Sequence, residues 1–127
     1  MSTIIATTLS NGSVSVPTAT VVNGSAKAWA NLNGTGTIAL RDSFNMSSVT
    51  DNGTGVYTFN FLSAFAAANY AALFCSNSVS GTGNSVANSQ ASGGYLVGSL
   101  QAIVTVGGTG IVGDVELLQV SAHGDLA

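Results

Sequence analysis

The chain has 127 residues, with two basic and five acidic side chains and a net charge of −3. Only 6% of its residues are charged, against about 25% in an average soluble domain. Two basic residues can neutralise few phosphates, so we expect no binding to nucleic acid. Because 46% of the residues are hydrophobic, we expect one domain with a buried core that hides further surface against other chains.

The first 25 residues form a segment of their own. Two short strand-like runs, 3–9 and 13–16, flank an Asn-Gly pair at 11–12, and Pro17 is the only proline of the chain. Polar turn residues separate this segment from the rest of the chain. We therefore predict an extended N-terminal arm over 1–25 and one β-domain over 26–127.

The β-domain is predicted as short strands separated by turns. Asn-Gly pairs, which favour tight hairpins, recur at 23–24, 33–34 and 52–53. In 56–61 the alternation places Tyr57, Phe59 and Phe61 on one buried face. The predicted strands are 26–32, 36–41, 43–49, 56–61, 70–76, 95–106 with a break at Gly98, and 115–122.

Three further segments carry structural expectations. The Ala-rich residues 64–68 allow a helical turn, and the small polar residues 76–94 read as a long exposed loop. The apolar run 61–75 is too short to span a bilayer, which needs about 20 residues, so we expect no membrane insertion. Cys75 is the only cysteine and is expected to be a small buried side chain. The fold class is thus all-β, an antiparallel β-sandwich or a jelly-roll-like barrel with an extended N-terminal arm.

Two glycine-rich patterns resemble nucleotide-binding loops but lack their context. Gly108, Gly110 and Gly113 satisfy G-x-G-x-x-G, yet the few residues after them alternate like a strand and leave no room for a βαβ unit. The repeated Asn-Gly-Thr-Gly at 33–36 and 52–55 has no following Lys and no helix, as a phosphate loop requires. We interpret all of them as hairpin turns and expect no cofactor.

Catalytic side chains are scarce. His123 is the only histidine and lies near the C-terminus, where a solvated or lightly packed side chain is usual. The acids that could pair in glycoside hydrolysis are Asp42, Asp51, Asp114 and Glu116, but Asp51 and Asp114 flank turns, where Asp caps the backbone. We therefore expect no enzyme and no metal site.

The dipeptide Arg41-Asp42 interrupts an otherwise uncharged strand run. A charge in such a position is usually paired, and arginine suits bidentate pairing. We expect Arg41 to form an ion pair with Asp42 or Asp51, within one chain or between subunits.

Residues 26–61 read AKAWANLNGTGTIALRDSFNMSSVTDNGTGVYTFNF, and 68–71 read ANYA. This stretch of about 46 residues resembles a module of tailed-bacteriophage and prophage virion proteins that combines AKAW, NGTGT, SFN, TDNG and YT-x-NF. The match is weaker in the C-terminal VELLQVSAHGD and does not cover 1–25 or 76–94. It departs at Leu32, where the module has an aromatic residue, and at Val56, where it has a polar one.

The resemblance implies a structural protein at the surface of a phage particle. Such modules occur at tail-fibre tips and as small free-standing proteins, and they have no catalytic residues. The size implies a capsid decoration (cement) protein, a homotrimer bound to the major capsid protein. We expect Ile4, Ile5 and Leu9 of the arm, with Arg41 and Asp42, at these interfaces. The alternative is a tail-fibre module that binds a host-surface glycan receptor, with Tyr95 as the contact.

Overall fold

A computed structural model describes residues 2–77, 85–89, 93–107 and 109–127. One helix and eleven strands are present in this described part, in the order β1 Thr8–Ser10, β2 Ser15–Pro17, α1 Thr18–Gly24, β3 Ala28–Asn33, β4 Ala39–Phe44, β5 Met46–Asp51, β6 Val56–Phe61, β7 Ala71–Ser76, β8 Ser85–Ser89, β9 Tyr95–Leu96, β10 Ser99–Val106 and β11 Leu118–His123. None of the helical residues described forms a segment long and apolar enough to cross a membrane.

The β-domain consists of two antiparallel sheets. The first sheet has the strand order β4-β3-β11-β7, and the second has β5-β6-β10-β8, with β9 also paired to β10. Neither sheet closes into a barrel, so the sandwich prediction is confirmed and the barrel alternative is not. β1 and β2 form a separate hairpin in the arm.

The core lies between the inner faces of the two sheets. In β6 the alternation is as predicted, since Tyr57, Phe59 and Phe61 are buried. Ala28, Ala30 and Leu32 of β3 face them from the first sheet, together with alternate residues of β11, while alternate residues of β10 extend the inner face of the second sheet beside β6. The period of two therefore places one apolar face of each sheet in a shared core.

One predicted helical turn was wrong, and one helix was not predicted. Residues 64–68 are not helical: Phe65 is 1% exposed and forms a β-bridge with Leu126, and the chain bends over 66–68. A helix lies at Thr18–Gly24 instead, so the Asn-Gly pair at 23–24 ends a helix and is not a hairpin turn. It starts directly after Pro17, which is the N-cap residue with φ of −57° and ψ of 139°, and the Ser25 amide closes it on the Val21 carbonyl.

The predicted loop 76–94 and the predicted burial of Cys75 also need correction. β8 lies within that loop range and pairs with β10, while 78–84 and 90–92 lie outside the described residues. Cys75 is exposed because it shares the outer face of β7 with Ala71 and Leu73. The predicted break at Gly98 is confirmed, since it separates β9 from β10.

A single residue, Asn45, carries the chain from the first sheet to the second. It separates β4 from β5 and has φ of 57°, a conformation that asparagine tolerates better than most residues. Its Nδ2 donates to the Lys27 and Ser63 carbonyls at 3.0 Å, and its Oδ1 accepts from the Ser63 amide at 2.7 Å. The side chain thus fixes the corner of the sandwich.

Replacing Asn45 should destabilise the fold through two separable effects. Asn45→Gly keeps the backbone conformation but loses three hydrogen bonds, so we expect a loss of about 2–4 kcal/mol in free energy of unfolding. Asn45→Ala should lose about 0.5–1 kcal/mol more, because alanine is strained at positive φ. Urea unfolding measures both values, and wild-type midpoints for both variants would contradict this role.

Candidate functional site

The arm presents apolar side chains to solvent. Ile4 and Ile5 are 92% and 93% exposed, and Leu9 is 47% exposed. With residues from α1 they line an open cleft of about 450 Å³, formed by Ile4, Ile5, Ala6, Leu9, Thr18, Val21 and Val22. Water-exposed aliphatic groups this close together mark a surface suited to a partner.

The arm has its own local order. Asn11 closes the β1–β2 turn by accepting from the Ser13 and Val14 amides at 3.0 and 2.9 Å. The Thr18 hydroxyl then donates to the Ala6 carbonyl at 2.8 Å and ties the start of α1 to the residues before β1. The cleft is therefore shaped by backbone and polar contacts, and its apolar groups remain free to make contacts elsewhere.

Arg41 pairs with a residue that the sequence did not indicate. Its Nη2 lies 3.5 Å from Glu116 Oε1, and its Nη1 donates to the Glu116 carbonyl at 2.6 Å. The intrachain pairing of Arg41 with Asp42 or Asp51 was wrong: Asp42 accepts from the Ser43 amide at 2.8 Å, and Asp51 from the Gly53 amide at 2.9 Å.

A β-bulge explains the partner of Arg41. Asn31 pairs with Asp42 but Leu32 pairs with Leu40, so Arg41 is the extra residue of β4 and points toward the loop before β11. The side chains of Arg41 and Glu116 are 38% and 72% exposed, and such an exposed pair contributes little to stability. Arg41 and Asp42 are nevertheless both exposed on an edge strand, where an interface can reach them.

Tyr95 lies at the opposite end of the sandwich from the repeated Asn-Gly-Thr-Gly turns. It is half-buried against the core, and its ring centroid is 5.1 Å from that of Tyr70. Tyr70 also stacks on Phe65 at 4.2 Å. This packing gives Tyr95 a structural role in an aromatic cluster, and its role as a receptor contact stays a prediction.

The two Asn-Gly-Thr-Gly turns meet at Asp114. One turn connects β3 to β4 in the first sheet, and the other connects β5 to β6 in the second. Asp114 Oδ1 accepts from the Gly55 amide and from the Tyr57 hydroxyl, both at 2.7 Å. The same hydroxyl lies 2.9 Å from the Gly34 carbonyl. Asp114 therefore joins both turns, a role that its place in the sequence did not reveal.

The first turn has room for glycine alone. A Cβ built on Gly34 would lie 2.7 Å from Tyr57 Cζ and 2.9 Å from the Val115 carbonyl oxygen. The close approach thus explains why the turn begins with Asn-Gly, in addition to the ordinary preference of hairpins for that pair.

We expect Gly34→Ala to lower the free energy of unfolding by about 1–3 kcal/mol, the usual effect of overpacking. Gly24→Ala is the matched control, because its added methyl group meets nothing within 4 Å and alanine favours a helix. Equal urea midpoints for the two variants would contradict the close packing at Gly34.

Two core tyrosines have altered acidity. Burial, with the hydrogen bond to Asp114 and its negative charge, raises the pKa of Tyr57 above its ordinary value of 10.0. Burial also raises the pKa of Tyr70, helped by the neighbouring Tyr95. Each hydroxyl is held protonated in the folded chain at a pH where the unfolded chain ionises.

These shifts predict a loss of stability at high pH. The stabilisation that each protonated tyrosine hydroxyl gives the fold is complete below the pKa of that tyrosine in the unfolded chain. It is lost as the pH rises above that pKa, because the unfolded chain releases the proton first. The slope should reach at most about 1.4 kcal/mol per pH unit for each tyrosine. Urea unfolding between about pH 8 and 11 measures it, and Tyr57→Phe should make the slope shallower. A slope unchanged by this substitution would contradict the assignment.

His123 is half-buried, which agrees with the lightly packed side chain that its position indicated. Its Nε2 lies 3.0 Å from Ser121 Oγ, two residues earlier on the outer face of β11. In the described part of the chain, no three His, Cys, Asp or Glu side chains come together as metal ligands.

No family model, curated protein or solved structure matches the chain.

Proposed function

We propose that this protein is a bacteriophage structural protein that decorates the head lattice as a homotrimer and stabilises it. The observation that carries this proposal is the exposed apolar cleft of the arm, whose isoleucines are more than nine-tenths exposed. Fully burying one such side chain contributes about 1.5–3 kcal/mol. A few of them supply much of the affinity that a lattice contact requires.

The distribution of charge supports a protein that works in contact with others. Residues 2–26 and 52–113 contain no charged side chain, although small monomers usually keep themselves soluble with mixed surface charges. A homotrimer and a capsid surface both cover neutral surface of this kind. The exposed Arg41 and Asp42 would then contribute charge pairs at the rim of such a contact, where pairs affect specificity more than affinity.

The second candidate is a tail-fibre module that binds host-surface glycans. Trp29 and Phe44 favour it, because these two aromatic side chains lie exposed and side by side on the outer face of the first sheet. The two functions differ in copy number, since a head lattice holds hundreds of decoration sites and a fibre set holds far fewer.

The arm can be tested with point variants in the intact chain. We expect the double variant Ile4→Ser, Ile5→Ser to fold normally but to lose trimerisation and incorporation into virions, because it removes the most exposed aliphatic groups. Light scattering and quantitative mass spectrometry of purified virions measure the two properties.

Ile111→Ser is the matched control, since Ile111 is also exposed, at 64%, but belongs to the β-domain.

Virions that lack the protein should have heads that are less stable to heating and to low salt than those of complete virions. Heads of normal stability combined with failed adsorption would overturn decoration in favour of the fibre.

A further inference from the structure

The outer face of the first sheet carries an aromatic platform at the end where the arm joins it. Trp29 on β3 pairs with Phe44 on β4, and the two side chains are 37% and 53% exposed. On its other side Trp29 pairs with Ser121 of β11. Cross-strand partners lie close together on one face of a sheet, so the two rings form one surface beside Ser121.

A concave region adjoins this platform. Ser121 leads to His123, which it contacts at 3.0 Å, and His123 lines a depression of about 380 Å³. Asn69 and Asp125 supply the other polar side chains of its wall, and Ala66, Ala67 and Tyr70 supply apolar surface. The depression therefore presents an amide, an imidazole and a carboxylate, and its His123 lies two residues along β11 from Ser121, the strand partner of Trp29.

These residue types are rare in this chain. Trp29 is its only tryptophan, His123 its only histidine, and Asp125 one of only five acidic residues. Their convergence at one end of one sheet face gives the combination that a small polar ligand requires, an apolar surface with a few directed polar groups.

We propose that this face binds a neutral saccharide, with the sugar ring on Trp29 and its hydroxyl groups on Asn69, His123 and Asp125. A pyranose has an apolar face of C–H groups that suits an aromatic ring. Its hydroxyls both donate and accept, which matches an amide, an imidazole and a carboxylate.

Charge and desolvation favour this class of ligand over two others. An anionic sugar would be repelled by Asp125, while the Nζ of nearby Lys27 already donates to the carbonyl groups of Val22 and Ser25. An apolar protein surface would bury Asp125 and Asn69 without partners, which is costly. A neutral sugar is not repelled by Asp125, and its hydroxyl groups can pair with Asp125 and Asn69. The inference holds whether the protein lies on the head or on a tail fibre.

Because Trp29 is the only tryptophan, its fluorescence reports directly on the platform. We expect a saturable change on titration with at least one of four probes: the methyl glycosides of glucose, galactose and mannose, and N-acetylglucosamine. Saturation-transfer NMR should show transfer to the C–H face of the sugar that binds. No saturable response to any of these probes would overturn the proposal.

Variants that keep Trp29 locate the polar contacts. Asn69→Ala and Asp125→Ala should each weaken binding roughly tenfold, as expected for loss of a hydrogen bond, charge-assisted in the second case. Trp29→Ala, followed by NMR, should abolish saturation transfer. Circular dichroism and urea unfolding check that each variant is folded.

Asp51→Asn is the matched control, because it removes one negative charge at the opposite end of the sandwich and keeps an oxygen to accept from the Gly53 amide. It should bind like the wild type. Equal affinities for Asp125→Ala, Asn69→Ala and this control would overturn the proposed site, while weakened binding in Tyr95→Phe alone would move it to Tyr95.

Discussion

The carboxylate of Asp114 is the contact on which the geometry of the sandwich depends most. It accepts hydrogen bonds from the second Asn-Gly-Thr-Gly turn, at Gly55, and from Tyr57, whose hydroxyl also lies against the first turn at Gly34. The two turns belong to different sheets, so one side chain sets the distance between the sheets at this end. Hydrogen bonds to a charged acceptor are the stronger kind, and the Tyr57 side chain delivers its hydroxyl from within the core.

At the other end the sheets are joined by the continuous chain at Asn45 and by packed aromatic rings. Asn45 turns the chain from one sheet into the other, and the rings of Phe61, Phe65 and Tyr70 pack edge to face and stacked beneath the C-terminal residues. On the outer face of the first sheet at this end lie Trp29 and Phe44, together with Ser121 and His123 of β11. The same alternation that builds the core thus places aromatic side chains on the surface.

The sequence predicted local patterns well and long-range partners poorly. The alternation of 56–61 gave the buried face of β6, and the Asn-Gly pairs at 11–12, 33–34 and 52–53 gave hairpin turns, because each depends on neighbouring residues alone. The Arg41–Glu116 pair depends on a bulge in β4 and on residues 75 positions apart. The exposure of Cys75 likewise depends on which face of β7 meets the core, which an apolar run without polar alternation does not reveal.

The chain therefore carries two surfaces of different chemistry close to one junction. The arm offers aliphatic groups, and residues 2–26 lack any charge, so it gains by burial against another protein surface. The sheet face offers the exposed rings of Trp29 and Phe44, and the depression at its end offers Asn69, His123 and Asp125. These polar groups need hydrogen-bonding partners when they are covered. A single apolar partner would bury the aliphatic groups of the arm but would leave the polar groups of the second surface without hydrogen-bonding partners. The two proposals therefore assign attachment to the arm and recognition to the sheet, and Lys27 Nζ links the helix end of the arm to the start of β3 by donating to the Val22 and Ser25 carbonyls.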